Sequence, residues 1–346
     1  MTARTILIVA ALALAVVKPD HDAQAGSLPE GFEISGYLPY YRESVVDNID
    51  FSMLTDVLVF SIVPNADGTL NTQDVSTSFL NKVKQRAGDA KVRITVGGGG
   101  RSEHFWPMTG DAATRATFVN NLTQYVLDHN LDGADINWEH PGTHAQHEAA
   151  ADLVQELRAA FDEHTGLELS VAVPGWHGAW RERAYQALDR VNVMSYDNGY
   201  PMATVQAFKN HIGNQLNWNV ARDQMMMGVP FYGRNEDAHA LTYSQIVDLA
   251  GGHPDSDMVD GYSFNSAATL EEKVRIIQDE QLRGIMIWEL GQDTFDDNSL
   301  LHAVHREAVP EPTSGGVLLG GIAFLLLRRS RTRTTASQAD GPARST

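Results

Sequence analysis

Cysteine is absent from the 346 residues. That excludes disulfides, thiolate metal sites and thiol nucleophiles, and it leaves the redox compartment unread. A chain of this length buries enough surface to fold without such staples. Basic residues are scarce: 26 Lys and Arg stand against 44 Asp and Glu. Seven of the basic residues but only three of the acidic ones lie in residues 1–25 and 328–346, so residues 26–327 carry 19 against 41, a net of −22. Such a surface repels nucleic acid and anionic lipid, and suits a neutral substrate such as a polysaccharide. Long apolar runs are missing too. Thr5–Val17 and Gly315–Leu327 are each shorter than the roughly 20 residues of a membrane-spanning helix. No phosphate loop is present, because Gly97–Gly100 lack the Lys and Ser/Thr that one requires. These glycines read instead as a point of close backbone approach.

The two ends have compositions of their own. Residues 1–25 read as a secretory signal peptide: Arg4, the apolar run, then the small-residue cut site Ala23-Gln24-Ala25. At the other end, Val309-Pro310-Glu311-Pro312 precedes Gly315–Leu327, and Arg328-Arg329-Ser330-Arg331 follows. This order of Pro-Glu-Pro, apolar segment and basic cluster resembles the PEP-CTERM sorting tail of Gram-negative bacteria. The resemblance, over residues 309–346, implies processing by an exosortase-type enzyme and a secreted or cell-surface product. Membrane contact would then come only through the tail, before processing. A plain anchor held by its Arg cluster is the alternative.

Between the ends, short apolar strands alternate with amphipathic helices. Strands are expected at Ile34–Tyr40, Val57–Val63, Val92–Val96, the stretch ending at Glu139, Glu168–Val173, Arg190–Tyr196, Gln224–Val229 and Gly284–Trp288. Helices are expected at Phe79–Ala87, Ala112–His129, His147–His164, Met202–His211, Leu270–Gln281 and Asn298–Ala308, with a weak one starting at Ala184. Eight strands interleaved with helices predict a single-domain (β/α)8 TIM barrel over residues 26–308. A doubly wound sheet is the alternative, but Gly36-Tyr37-Leu38-Pro39 is not its Gly-rich turn. Barrel chemistry belongs at the C-terminal strand ends. Glu139, Tyr196-Asp197, Phe231-Tyr232-Gly233-Arg234 and Trp288-Glu289 all fall there.

The fourth strand is the most informative. Alternation sends Asp135, Asn137 and Glu139 to one face, and Ala134, Ile136 and Trp138 to the other. Three polar groups on one face of a buried strand are costly unless they are paired or used. His140, His144 and His147 raise a metal reading, but Pro141 and Gly142 interrupt their spacing and no carboxylate partner is fixed. No metal and no cofactor is expected. Trp106, Trp176 and Trp180 sit in loops, where they either stack on sugar rings or cover the core.

Asp132-Gly133-Ala134-Asp135-Ile136-Asn137-Trp138-Glu139 resembles the D-G-x-D-x-D-W-E signature of glycoside hydrolase family 18, the chitinase and endo-β-N-acetylglucosaminidase family. Thr95-Val96-Gly97-Gly98, Met194-Ser195-Tyr196-Asp197, Gly228–Arg234 and Met286–Glu289 match its third, sixth, seventh and eighth strands. The resemblance implies a substrate-assisted retaining hydrolase, one of the exceptions to the two-carboxylate scheme. Glu139 would be the general acid and Asp135 would support the central position. Tyr196 and Asp197 would hold the substrate's acetamido group. Met194 would line the pocket, Trp288 would floor it with Tyr37 alongside, and Tyr232 and Arg234 would bind substrate. The substrate would be an N-acetylglucosamine polymer, chitin or its oligosaccharides.

Two departures bear on this expectation. Asn137 stands where the family has Asp, so the site keeps an acceptor but loses a charge. A weaker enzyme with a more acidic optimum is expected. Strands seven and eight lie about 50 residues apart, too close for the extra α+β domain found there in many relatives. An open groove and internal, endo-acting cleavage are expected. Glycan-core or peptidoglycan hydrolysis, and a chitin-binding lectin without activity, are the competing readings. Retention of Glu139 favours an enzyme.

Overall fold

Eight parallel strands close on themselves in a computed structural model, which describes residues 27–178 and 180–309. They are β1 (Glu33–Pro39), β2 (Asp56–Pro64), β3 (Lys91–Gly97), β4 (Gly133–Asn137), β5 (Glu168–Pro174), β6 (Arg190–Met194), β7 (Met225–Pro230) and β8 (Gly284–Trp288). Each pairs with its neighbours in chain order, and β1 pairs with both β2 and β8, so no edge is left open. This is the expected TIM barrel. Residues 28–309 form one compact unit. The segments expected to be a signal peptide and a sorting tail, residues 1–25 and 310–346, lie outside the described residues. Among the described residues no helix is long and apolar enough to cross a membrane.

Local chemistry explains the element ends. Pro39, Pro64, Pro174 and Pro230 close four of the strands, because proline has no N–H to continue a ladder. Ser76, Asp111, Thr143, Thr204, Ser266 and Ser299 cap the helices that follow β2, β3, β4, β6, β7 and β8. Three expected helix starts need correction by three residues. The helix after β7 begins at Ala267, not Leu270, behind its Ser266 cap. The helix after β4 begins at His144, not His147, because Thr143 and Gln146 form a capping box beyond the Pro-Gly break. The helix after β6 begins at Val205, not Met202, because Ala203 has φ +52 and cannot be helical. The first crossover is two tight helical stretches, Tyr40–Asn48 and Phe51–Met53, and the fifth a single turn, Glu182–Tyr185.

Between β7 and β8 the strands Tyr232–Arg234, Ala240–Thr242, Met258–Val259 and Tyr262–Ser263 form a small antiparallel sheet, with the helix Tyr243–Ala250 beside it. This insert stays inside the same compact unit as the barrel, in place of a separate α+β domain.

Alternation fills the barrel interior in layers. The outward faces pack apolar side chains against the helices, as Val57, Val59, Ile94, Val96, Ala134 and Ile136 do. The lowest inward layer is ionic. Arg190 on β6 pairs with Glu33 on β1 and Glu168 on β5, and Arg93 on β3 lies 3.0 Å from Asp56 on β2. Above it, Asp135, Ser170 and Asn192 form a polar layer. Near the mouth come Tyr37, Phe60, Met194, Tyr196 and Met286.

The ionic layer gives acid sensitivity with a definite sign. Burial works against the Glu33 charge, but hydrogen bonds from Arg283 and Arg190 outweigh it and bring the pKa down to about 2. A carboxyl depressed by folding stabilises above its unfolded pKa and loses that contribution as pH falls toward the folded value. Unfolding free energy is therefore expected to drop between about pH 4.5 and pH 2, and Glu33→Gln should flatten that drop. Urea midpoints across this range test it; equal slopes in both proteins would refute it.

Candidate active site

At the C-terminal ends of the strands lies a cleft of about 510 Å³. The third strand shapes its floor. Added β-carbons on Gly97 and Gly98 would lie 2.5 Å from the Asn137 carbonyl and 2.3 Å from the Phe60 ring, and both glycines have positive φ. Only glycine lets this backbone come so close to β4 and β2. Gly98 N donates to the Asn137 carbonyl at 2.7 Å. Ser102 Oγ then accepts from Glu139 N at 3.0 Å and donates to the Gly98 carbonyl at 3.0 Å. The backbone that carries Glu139 is thus pinned by the loop after β3.

Eight of the ten expected site residues line the cleft: Tyr37, Asn137, Glu139, Met194, Tyr196, Asp197, Arg234 and Trp288. The other two stand behind them. Asp135 is fully buried below the mouth. It accepts from Tyr37 Oη at 2.9 Å, Ser170 Oγ at 2.6 Å and Asn192 Nδ2 at 2.9 Å, tying β4 to β1, β5 and β6. Tyr232, expected at the substrate, is 4% exposed and does not line the cleft. The chain turns into the antiparallel insert after Pro230, and Tyr232 opens the first strand of that insert. It supports Arg234, whose guanidinium lies 5.3 Å from the centre of its ring.

Glu139 is the half-buried acid of the cleft. Burial raises its pKa first, the Asp197 carboxylate adds to this, and hydrogen bonding by Asn137 and the Gly99 N–H works against both. The net direction is upward, which favours the protonated carboxyl that a general acid needs. Asn137 Oδ1 is buried and meets no donor among the described residues. Across the cleft, Arg234 grips Asp197 through Nε at 2.7 Å and Nη2 at 3.2 Å. Burial, more than any neighbouring charge, keeps the Tyr196 hydroxyl protonated. Tyr37, Phe60 and Trp288 pack at ring separations of 4.9 to 6.2 Å as an aromatic floor.

Several residues at the cleft were not among those expected: Tyr40, Tyr41, Phe60 and Arg101 line it, and Ser102 supports it. Phe60 alone was open to prediction, since it shares the inward face of β2 with Leu58. Of the loop tryptophans, Trp176 lines the cleft and is 42% exposed, Trp106 is exposed elsewhere and Trp180 is buried. His140 faces His177 at 5.6 Å between rings. Among the described residues no group of three or more His, Asp or Glu is arranged to hold a metal ion.

Comparison with known proteins bears on this geometry. Chitinase 1 of Aphanocladium album is 24% identical, over 77% of this chain and 82% of its own. Nod factor hydrolase protein 1 of Medicago truncatula is 25% identical, over 72% and 83%. The structure of a family 18 chitinase from the chitin utilization locus of Flavobacterium johnsoniae superposes with a TM-score of 0.71 at 25% identity, over 82% of this chain and 94% of that one. A Bacteroides thetaiotaomicron chitinase superposes with a TM-score of 0.75 at 24% identity, over 82% and 98%. The model of glycosyl hydrolases family 18 matches residues 33–293, a span that holds all eight barrel strands and every residue of the cleft, and the chain belongs to that family.

Proposed function

We propose that the protein hydrolyses β-1,4-linked N-acetylglucosamine polymers, chitin and its oligosaccharides, from within the chain. The observation that carries this reading is the placement of Glu139. It is a half-buried carboxyl with a raised pKa, set over an aromatic floor and facing Tyr196 and the Arg234-held Asp197. Pyranose faces stack on such a floor. Relatives described as chitinases support the substrate class.

In the proposed reaction Glu139 gives its proton to the glycosidic oxygen as the bond to the anomeric carbon breaks. The substrate's own acetamido oxygen closes on that carbon, forming an oxazolinium ion. Water then opens the ring, and Glu139 takes back a proton. No enzyme nucleophile is needed. Tyr196 and Asp197 hold the acetamido group, and Asn137 Oδ1, buried and without a donor among the described residues, accepts its N–H.

Asn137 fixes how well this works. An Asp here would add charge beside the oxazolinium and, by like-charge repulsion, raise the Glu139 pKa further. Asn137→Asp is expected to raise kcat about tenfold, which corresponds to about 1.4 kcal/mol of added transition-state stabilisation. It should also shift the alkaline limb of the pH–rate profile upward, since the acid must be protonated to act. An unchanged rate and profile would sink this account of Asn137. Incubation of the full chain with chitotetraose, a peptidoglycan fragment and an N-glycan core tests the substrate class. Binding of chitotetraose without cleavage between pH 4 and 8 would overturn the hydrolase reading in favour of a lectin.

We further infer export, supported by the composition of residues 1–25 and 309–346. The mature protein recovered outside the inner membrane should begin near Gly26. Peptide mass spectrometry that finds the protein only in the cytoplasm, with Met1–Ala25 still attached, would contradict it.

A further inference from the structure

The helix Val205–Asn217 turns a polar stripe toward the barrel: His211, Asn214 and Gln215. Spacings of three and four put these side chains on one face. His211 is 4% exposed and Gln215 is fully buried, and such groups stay inside only when paired. Gln215 Nε2 donates to the Pro174 carbonyl at 3.0 Å, and Asn214 Nδ2 to the Gly175 carbonyl at 3.2 Å. Both tie down the end of β5.

His211 does the same for the end of β6, with both ring nitrogens. Nδ1 lies 2.8 Å from Ser195 Oγ, and Nε2 lies 3.2 Å from Asn198 Nδ2. Ser195 and Asn198 flank Tyr196 and Asp197 in the chain. One ring therefore grips both sides of the pair that faces Glu139. The turn needs the grip, because Asp197 sits at φ +57, a left-handed conformation that strains a non-glycine residue. The ring itself has little freedom. A β-carbon on Gly175 would lie 2.4 Å from Nδ1, and Trp176 packs 6.2 Å away on the cleft side. Further along, Lys273 Nζ donates to the Ala203 carbonyl at 2.7 Å, so the loop that leaves this turn is also held.

We propose that His211 is a positioning residue that fixes Tyr196 and Asp197 against the substrate's acetamido group, an inference that rests on the hydrolase reading above. A neutral imidazole supplies one donor and one acceptor, which is what a hydroxyl on one side and a carboxamide on the other require. Burial, then the nearby Lys273 charge, lowers the ring's pKa to about 4 and keeps it neutral above that pH.

The test separates holding from filling. His211→Phe keeps the ring volume and loses both contacts. His211→Gln loses ring volume and keeps a polar group near Nε2. Positioning predicts that Phe is the worse variant, with kcat down about a hundredfold and KM nearly constant, because small misplacements at a reacting centre cost about that much. Gln should recover about tenfold of the loss, in line with one charge-neutral contact restored. Asn198→Ala, a change at a partly exposed residue, should lower kcat about tenfold and add nothing in the His211→Phe background. Amide hydrogen exchange at residues 196–198 needs no turnover and should quicken in both variants. A Phe variant as active as the native chain, or unchanged exchange, overturns the proposal. If the native chain cleaves no substrate, the hydrolase reading falls, and the exchange result alone then decides whether His211 holds the turn.

Discussion

Replacing Glu139 by Gln is expected to lower kcat/KM on a chitin oligosaccharide by about 10²- to 10⁴-fold, the usual contribution of a positioned general acid. The change is nearly isosteric, so the support from Ser102 and Gly99 survives and KM should move little. What disappears is the proton for the leaving oxygen. The loss should therefore shrink on an aryl glycoside, whose leaving group departs without full protonation. The native profile should fall on the alkaline side as Glu139, raised by burial and by Asp197, gives up its proton. A Gln variant that keeps more than a tenth of native activity on both substrates would remove Glu139 from the chemistry.

The second large effect lies at the opposite end of the barrel. Arg190→Met should destabilise the fold by about 3–5 kcal/mol, the cost of stranding buried partners. Arg190 is 1% exposed and faces Glu33, Glu168 and Asp56. Burial alone would lower its pKa, but these carboxylates outweigh burial and raise it. Removing the cation leaves their charge without its counterweight, and the surviving Arg93, Lys91 and Arg283 cover only part of it. Against a total stability of about 5–15 kcal/mol this is a large fraction. Urea unfolding measures it. A loss below 1 kcal/mol would show that the carboxylates take up protons or water at little cost.

Much of the site could be read from the chain because the barrel preserves strand alternation up to its mouth. Asp135, Asn137 and Glu139 do share a face, and Tyr196, Asp197 and Trp288 reach the same cleft from β6 and β8. Alternation did not say which of the three on β4 is used and which is paired. Asp135 is satisfied by three strands that are far from it in sequence, and only closure of the barrel brings Tyr37 within reach. Arg93 looks like an interruption in an apolar strand, and Arg190 like the polar start of one. Their partners Glu33, Asp56 and Glu168 stand at or near strand starts and converge only in three dimensions. Tyr232 stands behind the cleft because the chain leaves the barrel at Pro230 and enters the antiparallel insert. Tyr40 and Tyr41 come from a tight helical stretch that has no period of its own to read.

The prolines that close β1, β2, β5 and β7 also bear on how this protein can be altered. Each leaves the last position of its strand without a donor, so although Gly175 and Phe231 still donate back to the barrel, a longer or shorter loop finds no N–H at the proline through which to pull the strand into a new pairing. Loop exchange after Pro39, Pro64, Pro174 or Pro230 should therefore leave the scaffold in register. These four junctions are the natural seams for grafting substrate-binding loops from other barrels.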